Sequence, residues 1–90
     1  MSTALILKSI ADDTRLAIIR KLASNREEVA CKEIVSDCSI ALKLSQPTMS
    51  HHLARLVQTG VVVERKLGKE KFYKLNYELL QRNGISPEKL

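Results

Sequence analysis

Residues 44–56, LSQPTMSHHLARL, constrain this chain most, because the start of a helix is specified there several times over. Ser45 is a strong N-cap, Gln46 and Pro47 suit a first turn, and Leu44 can staple onto Met49 across the cap. Met49, Leu53 and Leu56 fall on one side with Val57 beside them, and Gly60 supplies a C-terminal stop. The continuation, VVVERKLGKEKFYKL, reads as two strands, residues 61–64 and 72–75, joined through Lys66, Leu67, Gly68 and Lys69.

Upstream, residues 3–11, TALILKSIA, form a short apolar helix with little polar surface, most easily explained if a second subunit covers it. Asp12 and Asp13 can cap a second helix in which Leu16, Ile19 and Leu22 recur at helical spacing while Arg15, Arg20 and Lys21 stay polar. Asn25 and Glu28 offer a capping box, but an extended segment at residues 28–30 that pairs with the later hairpin is the preferred reading. A third helix is predicted from Ala30 or Cys31 to Asp37, burying Ile34 and Val35. That leaves residues 38–43 as a connection longer than the three or four residues, roughly, of a minimal helix-turn-helix. A last short helix over residues 76–82 ends at Gly84 and Pro87.

Ninety residues suggest one domain, 1–90, of α+β class and mainly α. So small a domain holds little stability in reserve, and dimerisation is a natural remedy. Apolar content of 44% with one Phe, two Tyr and no Trp implies a core of Leu, Ile, Val and Ala. No run approaches the roughly 20 apolar residues of a membrane span, and no secretory leader is evident, so no membrane partner and a cytoplasmic location are expected. The net charge of +5 is uneven: residues 1–44 carry seven basic and six acidic groups, residues 45–90 eight and four. The excess sits on the capped helix and hairpin, as a phosphate-facing surface requires.

With Met49, Leu53 and Leu56 inward, about 100° per residue turns Pro47, Thr48, His51, Ala54 and Arg55 outward. Gln46, Thr48 and His51 then suit base edges in a major groove, with Ser45, Ser50 and Arg55 positioning the backbone. Arg65, Lys66, Lys69 and Lys71 gather about the hairpin tip, where a basic wing can lie along phosphates or enter the minor groove. Glu64 and Glu70 can orient those cations through ion pairs, and Tyr73 suits either packing or a phosphate hydrogen bond. His52 lies nearer the apolar stripe and reads as structural. The pattern is that of a winged helix-turn-helix with a C-terminal β-hairpin wing.

The stretches SIADDTRLAIIRKL and LSQPTMSHHLARLVQTGVVVERKLGKEKFYKL resemble the ArsR/SmtB family of small winged-helix transcriptional repressors. The resemblance implies that Ser45, Gln46, Thr48, Ser50 and His51 lie on a recognition helix and that the basic residues at 65–71 form the wing. It implies a homodimer joined through first and last helices, here residues 3–11 and 76–83, bound to a palindromic promoter operator in double-stranded DNA and released by an effector, often a metal ion. Two-fold symmetry would set the reading helices one DNA turn apart. Two departures concern the signal: the family's Cys-x-Cys pattern is reduced to Cys31 in VACKE, and NYELLQRNG lacks the His that zinc sensors carry on the last helix.

Cys31 and Cys38 fit buried structural thiols best, with a redox or soft-metal pair as alternatives. On one continuous helix they would stand about 10.5 Å apart, beyond the roughly 7 Å that a disulfide spans. The leading expectation is a sequence-specific repressor; the alternative is a winged-helix protein-interaction or dimerisation module without sequence-specific DNA binding. No enzyme is expected, since His51 and His52 point about 100° apart with no nucleophile and oriented partner evident.

Overall fold

The computed structural model describes residues 2–25 and 27–90, with the helical backbone but not the side chains of 39–42. The elements follow in the order α1 (Thr3–Ile10), α2 (Asp13–Ala23), β1 (Val29–Ala30), α3 (Cys31–Leu42), α4 (Gln46–Gln58), β2 (Val62–Leu67), β3 (Glu70–Leu75) and α5 (Tyr77–Arg82), then a 3-10 turn at Pro87–Lys89. The architecture is α+β and mostly helical, with one antiparallel sheet in the order β1-β3-β2. The helix starts are set by side-chain caps: Ser2, Asp12, Ser45 and Asn76 each accept from a backbone N–H three residues on.

Three apolar stripes meet in one core. Ile18, Ile19 and Leu22 of α2, Ile34 of α3, and Met49, Leu53 and Leu56 of α4 are buried together with Ile6 of α1 and with Val62, Tyr73 and Leu75 of the sheet. Burying a side chain of this size contributes about 1.5–3 kcal/mol, so the stripe on α4 fixes that helix's rotation about its axis. A buried polar link joins α1 to the end of α4: the Ser9 hydroxyl donates to the Ile6 carbonyl at 2.8 Å and accepts from Thr59 at 3.1 Å.

The extended reading of residues 28–30 is borne out, with Val29 opposite Tyr73 and Ala30 opposite Phe72. Two boundaries differ from expectation. Helix α3 runs past Asp37 to Leu42, so residues 38–43 are not a long connection. No Gly or Pro interrupts the backbone there, and the helix ends only where Lys43 takes a left-handed φ of 55°. The turn is then residues 43–45, the tight form of the motif. The hairpin is also longer than predicted, its ladder running from Val62↔Leu75 to Leu67↔Glu70. Gly68, at φ 63°, opens a two-residue turn with Lys69, so Lys66 and Leu67 belong to the strand.

Candidate nucleic-acid interface

Helix α4 presents two faces of opposite character. Met49, Leu53 and Leu56 are buried, while Gln46, Pro47, Ser50, His51 and Ala54 are exposed and Thr48 and Arg55 half-buried. Its first turn is held by Ser45, whose Oγ accepts from the Thr48 amide at 3.3 Å and lies 2.8 Å from the Thr48 hydroxyl. Those two hydroxyls therefore close the cap on each other, leaving Gln46 and Ser50 as the open polar side chains of the helix start. Arg55 donates to Gln58 Oε1 at 3.2 Å, one turn farther along the same face.

His52 is structural, as expected: only 15% of its side chain is exposed, and its Nδ1 accepts from Arg15 Nε at 3.2 Å with Asp12 Oδ2 3.8 Å away. Arg15 also donates to the Ser9 carbonyl at 3.2 Å, so the start of α2 and the end of α1 brace the middle of α4. His51, one residue earlier, lies on the open side.

Strand alternation divides the hairpin's cations. The cross-strand rows Val62–Leu75, Glu64–Tyr73 and Lys66–Lys71 share the face that packs toward the core, whereas Val63–Lys74, Arg65–Phe72 and Leu67–Glu70 share the other. On the first face an open cleft of about 440 Å³ is lined by His51, Ala54, Arg55 and Gln58 of α4 and by Glu64 of the hairpin. Beyond it Lys66 and Lys71 stand directly opposite each other, a like-charge pair that disfavours the bare hairpin and that an anion would relieve. Glu64 offsets Lys71 from 3.8 Å, and Glu70 reaches Lys32 at 3.8 Å. Among the described residues no carboxylate lies within ion-pair distance of Lys66 or Lys69.

Arg65 is on the second face and engaged within the protein, its Nε at 2.9 and 2.8 Å from the two Glu28 oxygens. Tyr73 is buried, and burial above all, with Cys31 and Glu64 beside it, pushes its hydroxyl far above the ordinary phenol range. Packing, not a phosphate hydrogen bond, is its role. Sequence reasoning missed Gln58, which lies at helical spacing from His51 and Ala54 and follows once α4 is carried to its end. It also missed Glu28, 37 residues from Arg65 and without a local signal.

Cys31 and Cys38 lie on the single helix α3, so their backbone separation of about 10.5 Å excludes a disulfide between them. Burial raises the Cys38 thiol above its ordinary value, which disfavours the reactive thiolate. Among the described residues no three or more His, Cys, Asp or Glu side chains gather as a metal site. Nor is any described helix long and apolar enough to cross a membrane.

A family model described as "Bacterial regulatory protein, arsR family" matches residues 12–63, more than half of the chain, from the cap of α2 into β2. The chain belongs to the ArsR family. It is 33% identical over 81 residues to the arsenic resistance transcriptional regulator ArsR1 of Pseudomonas putida, covering 90% of this chain and 59% of that protein. The arsenical resistance operon repressor of Staphylococcus xylosus is 41% identical over 75 residues, covering 83% of this chain and 66% of that one. The chain thus spans somewhat under two thirds of these relatives' length. Among solved structures, HlyU from Vibrio cholerae superposes with a TM-score of 0.67 at 34% identity, covering 90% of this chain and 83% of that one. Family and fold are those of a DNA-binding transcription regulator of winged helix-turn-helix type.

Proposed function

We propose that this ArsR-family chain is a homodimeric repressor that occupies a palindromic promoter operator in double-stranded DNA and is released by an effector. The observation that carries the reading is the open face of α4, bearing Gln46, Ser50, His51 and Arg55, set beside the hairpin face with the Lys66–Lys71 pair. Gln46 and His51 read base edges, the Thr48 methyl adds an apolar contact, and Ser45, Ser50 and Arg55 fix the backbone. Lys66, Lys69 and Lys71 neutralise phosphates.

The dimer supplies the second reading helix. Helix α1 leaves Leu5 44% and Leu7 46% exposed, and the Thr3 hydroxyl donates to Asn83 Oδ1 at 2.6 Å, tying α1 to the end of α5. That continuous α1–α5 surface, residues 3–11 and 76–83, suits a second copy. Repression is then steric, and no catalytic step is needed.

Selection of bound duplexes from a random-sequence pool tests the reading. A motif with two related half-sites, bound tightly over scrambled DNA at physiological salt, is the expected result. Equal, weak affinity for both would reject it in favour of a protein-interaction module. Repeating the selection with reduced, oxidised and metal-loaded protein identifies the class of effector.

A further inference from the structure

The wing extends beyond the core, so packing does not set its angle. From Val63 to the turn β2 is exposed throughout, and only Tyr73 and Leu75 of β3 are buried. Something else must hold the ribbon against the sheet. Glu28 immediately precedes β1, the strand at the opposite edge from β2, yet Arg65 of β2 reaches it. The Arg65 side chain crosses β3 to do so, its guanidinium 5.1 Å from the centre of the Phe72 ring. Carboxylate, ring and guanidinium form one row on the sheet face turned away from α4, with Lys74 flanking Glu28. The Arg65 hydrogen bond holds the Glu28 carboxyl below its ordinary range, and Glu28 raises the guanidinium in turn. Reaching a phosphate on the α4 side would require Arg65 to leave both the ring and the carboxylate.

We infer that Arg65 is a positioning residue for the wing, a strap across all three strands that aims Lys66 and Lys71 at the DNA backbone, rather than a phosphate contact. The inference rests on the DNA-binding reading above. Arg is suited to this by its planar, weakly hydrated guanidinium, which can lie over the ring and bond the carboxylate at once, where the compact, strongly hydrated ammonium of a Lys holds the two contacts less well together.

Salt dependence separates the roles, because each phosphate contact contributes about 0.9 to the slope of log K against log salt. The probes are a synthetic duplex recovered by the wild-type protein from a random pool and a scrambled duplex of the same composition. Arg65→Ala and Arg65→Lys are expected to weaken binding by up to about fivefold, the scale of one exposed ion pair, with the slope unchanged. Glu28→Gln should weaken it similarly and add nothing in the Arg65→Ala background. Lys66→Ala should flatten the slope by about 0.9 per lost contact. A flatter slope in Arg65→Ala, tighter binding in Glu28→Gln, retained affinity in Arg65→Lys, or no effect of either residue overturns the strap. Wild-type protein with no salt-dependent binding to either duplex overturns the DNA reading and the strap together, so the two failures are distinguishable.

Discussion

Helix α4 and the β2–β3 hairpin lie side by side but are held in place by different physics. The helix is seated by Met49, Leu53 and Leu56 in the core, capped by Ser45 and braced at His52 by Arg15. The hairpin is fixed by its own ladder and, past Tyr73, by surface contacts such as Arg65 to Glu28. Side chains on α4 are therefore oriented by burial of their neighbours, which salt does not weaken. Side chains on the hairpin are oriented by charge, which it does. A base-reading element needs the first kind of rigidity, and a phosphate-following ribbon tolerates the second.

Substitutions can break that contrast. The largest effect is expected from Leu53→Ala, which leaves a cavity under α4 and should lower stability by about 2–5 kcal/mol in denaturant titration. A loss under 1 kcal/mol, roughly, would mean that α4 is not seated by its stripe. Gln46→Ala and His51→Ala should keep the melting temperature yet change the selected sequence, each at about 1–3 kcal/mol of discrimination. Unchanged preference would remove those two base-reading assignments.

On the hairpin, Lys66→Ala should leave melting the same or slightly higher, because it relieves the repulsion from Lys71, and should weaken matched and scrambled duplexes alike. Its signature is in the salt dependence, not in sequence preference. The smallest effect sharpens the electrostatic side. Glu28 should titrate below the ordinary carboxylate value, and Arg65→Ala should raise it, as followed by side-chain NMR. Because its folded-state value is depressed, the pair's contribution is present above the unfolded value and is lost as pH falls through the folded one. A Glu28 titration insensitive to Arg65→Ala would show that the contact does not persist in solution.

Much of the reading helix was legible from local chemistry. Ser45 as cap, Pro47 in the first turn and the Met49–Leu53–Leu56 spacing are properties of neighbouring residues, and α4 formed as they dictate. Element ends were less legible. Residues 38–43 carry no Gly or Pro signal, and only backbone hydrogen bonding and the left-handed Lys43 decided that α3 continues to Leu42. In the hairpin, alternation was readable, but the ladder's length was decided by how tightly the turn closes, at Gly68 and Lys69 alone.

The sequence by itself determined the class of fold, the position of the reading helix and the sign of the charge beside it, because caps, helical period and turn residues act within a few positions. Tertiary structure alone decided which of the hairpin's cations are open. Lys66 and Lys71 share the face toward α4, while Arg65 crosses Phe72 to a carboxylate 37 residues away. The physical reason is that a strand's two faces are equivalent until a third element covers one of them. Here the core under Val62, Tyr73 and Leu75, and β1 at the far edge, made that choice.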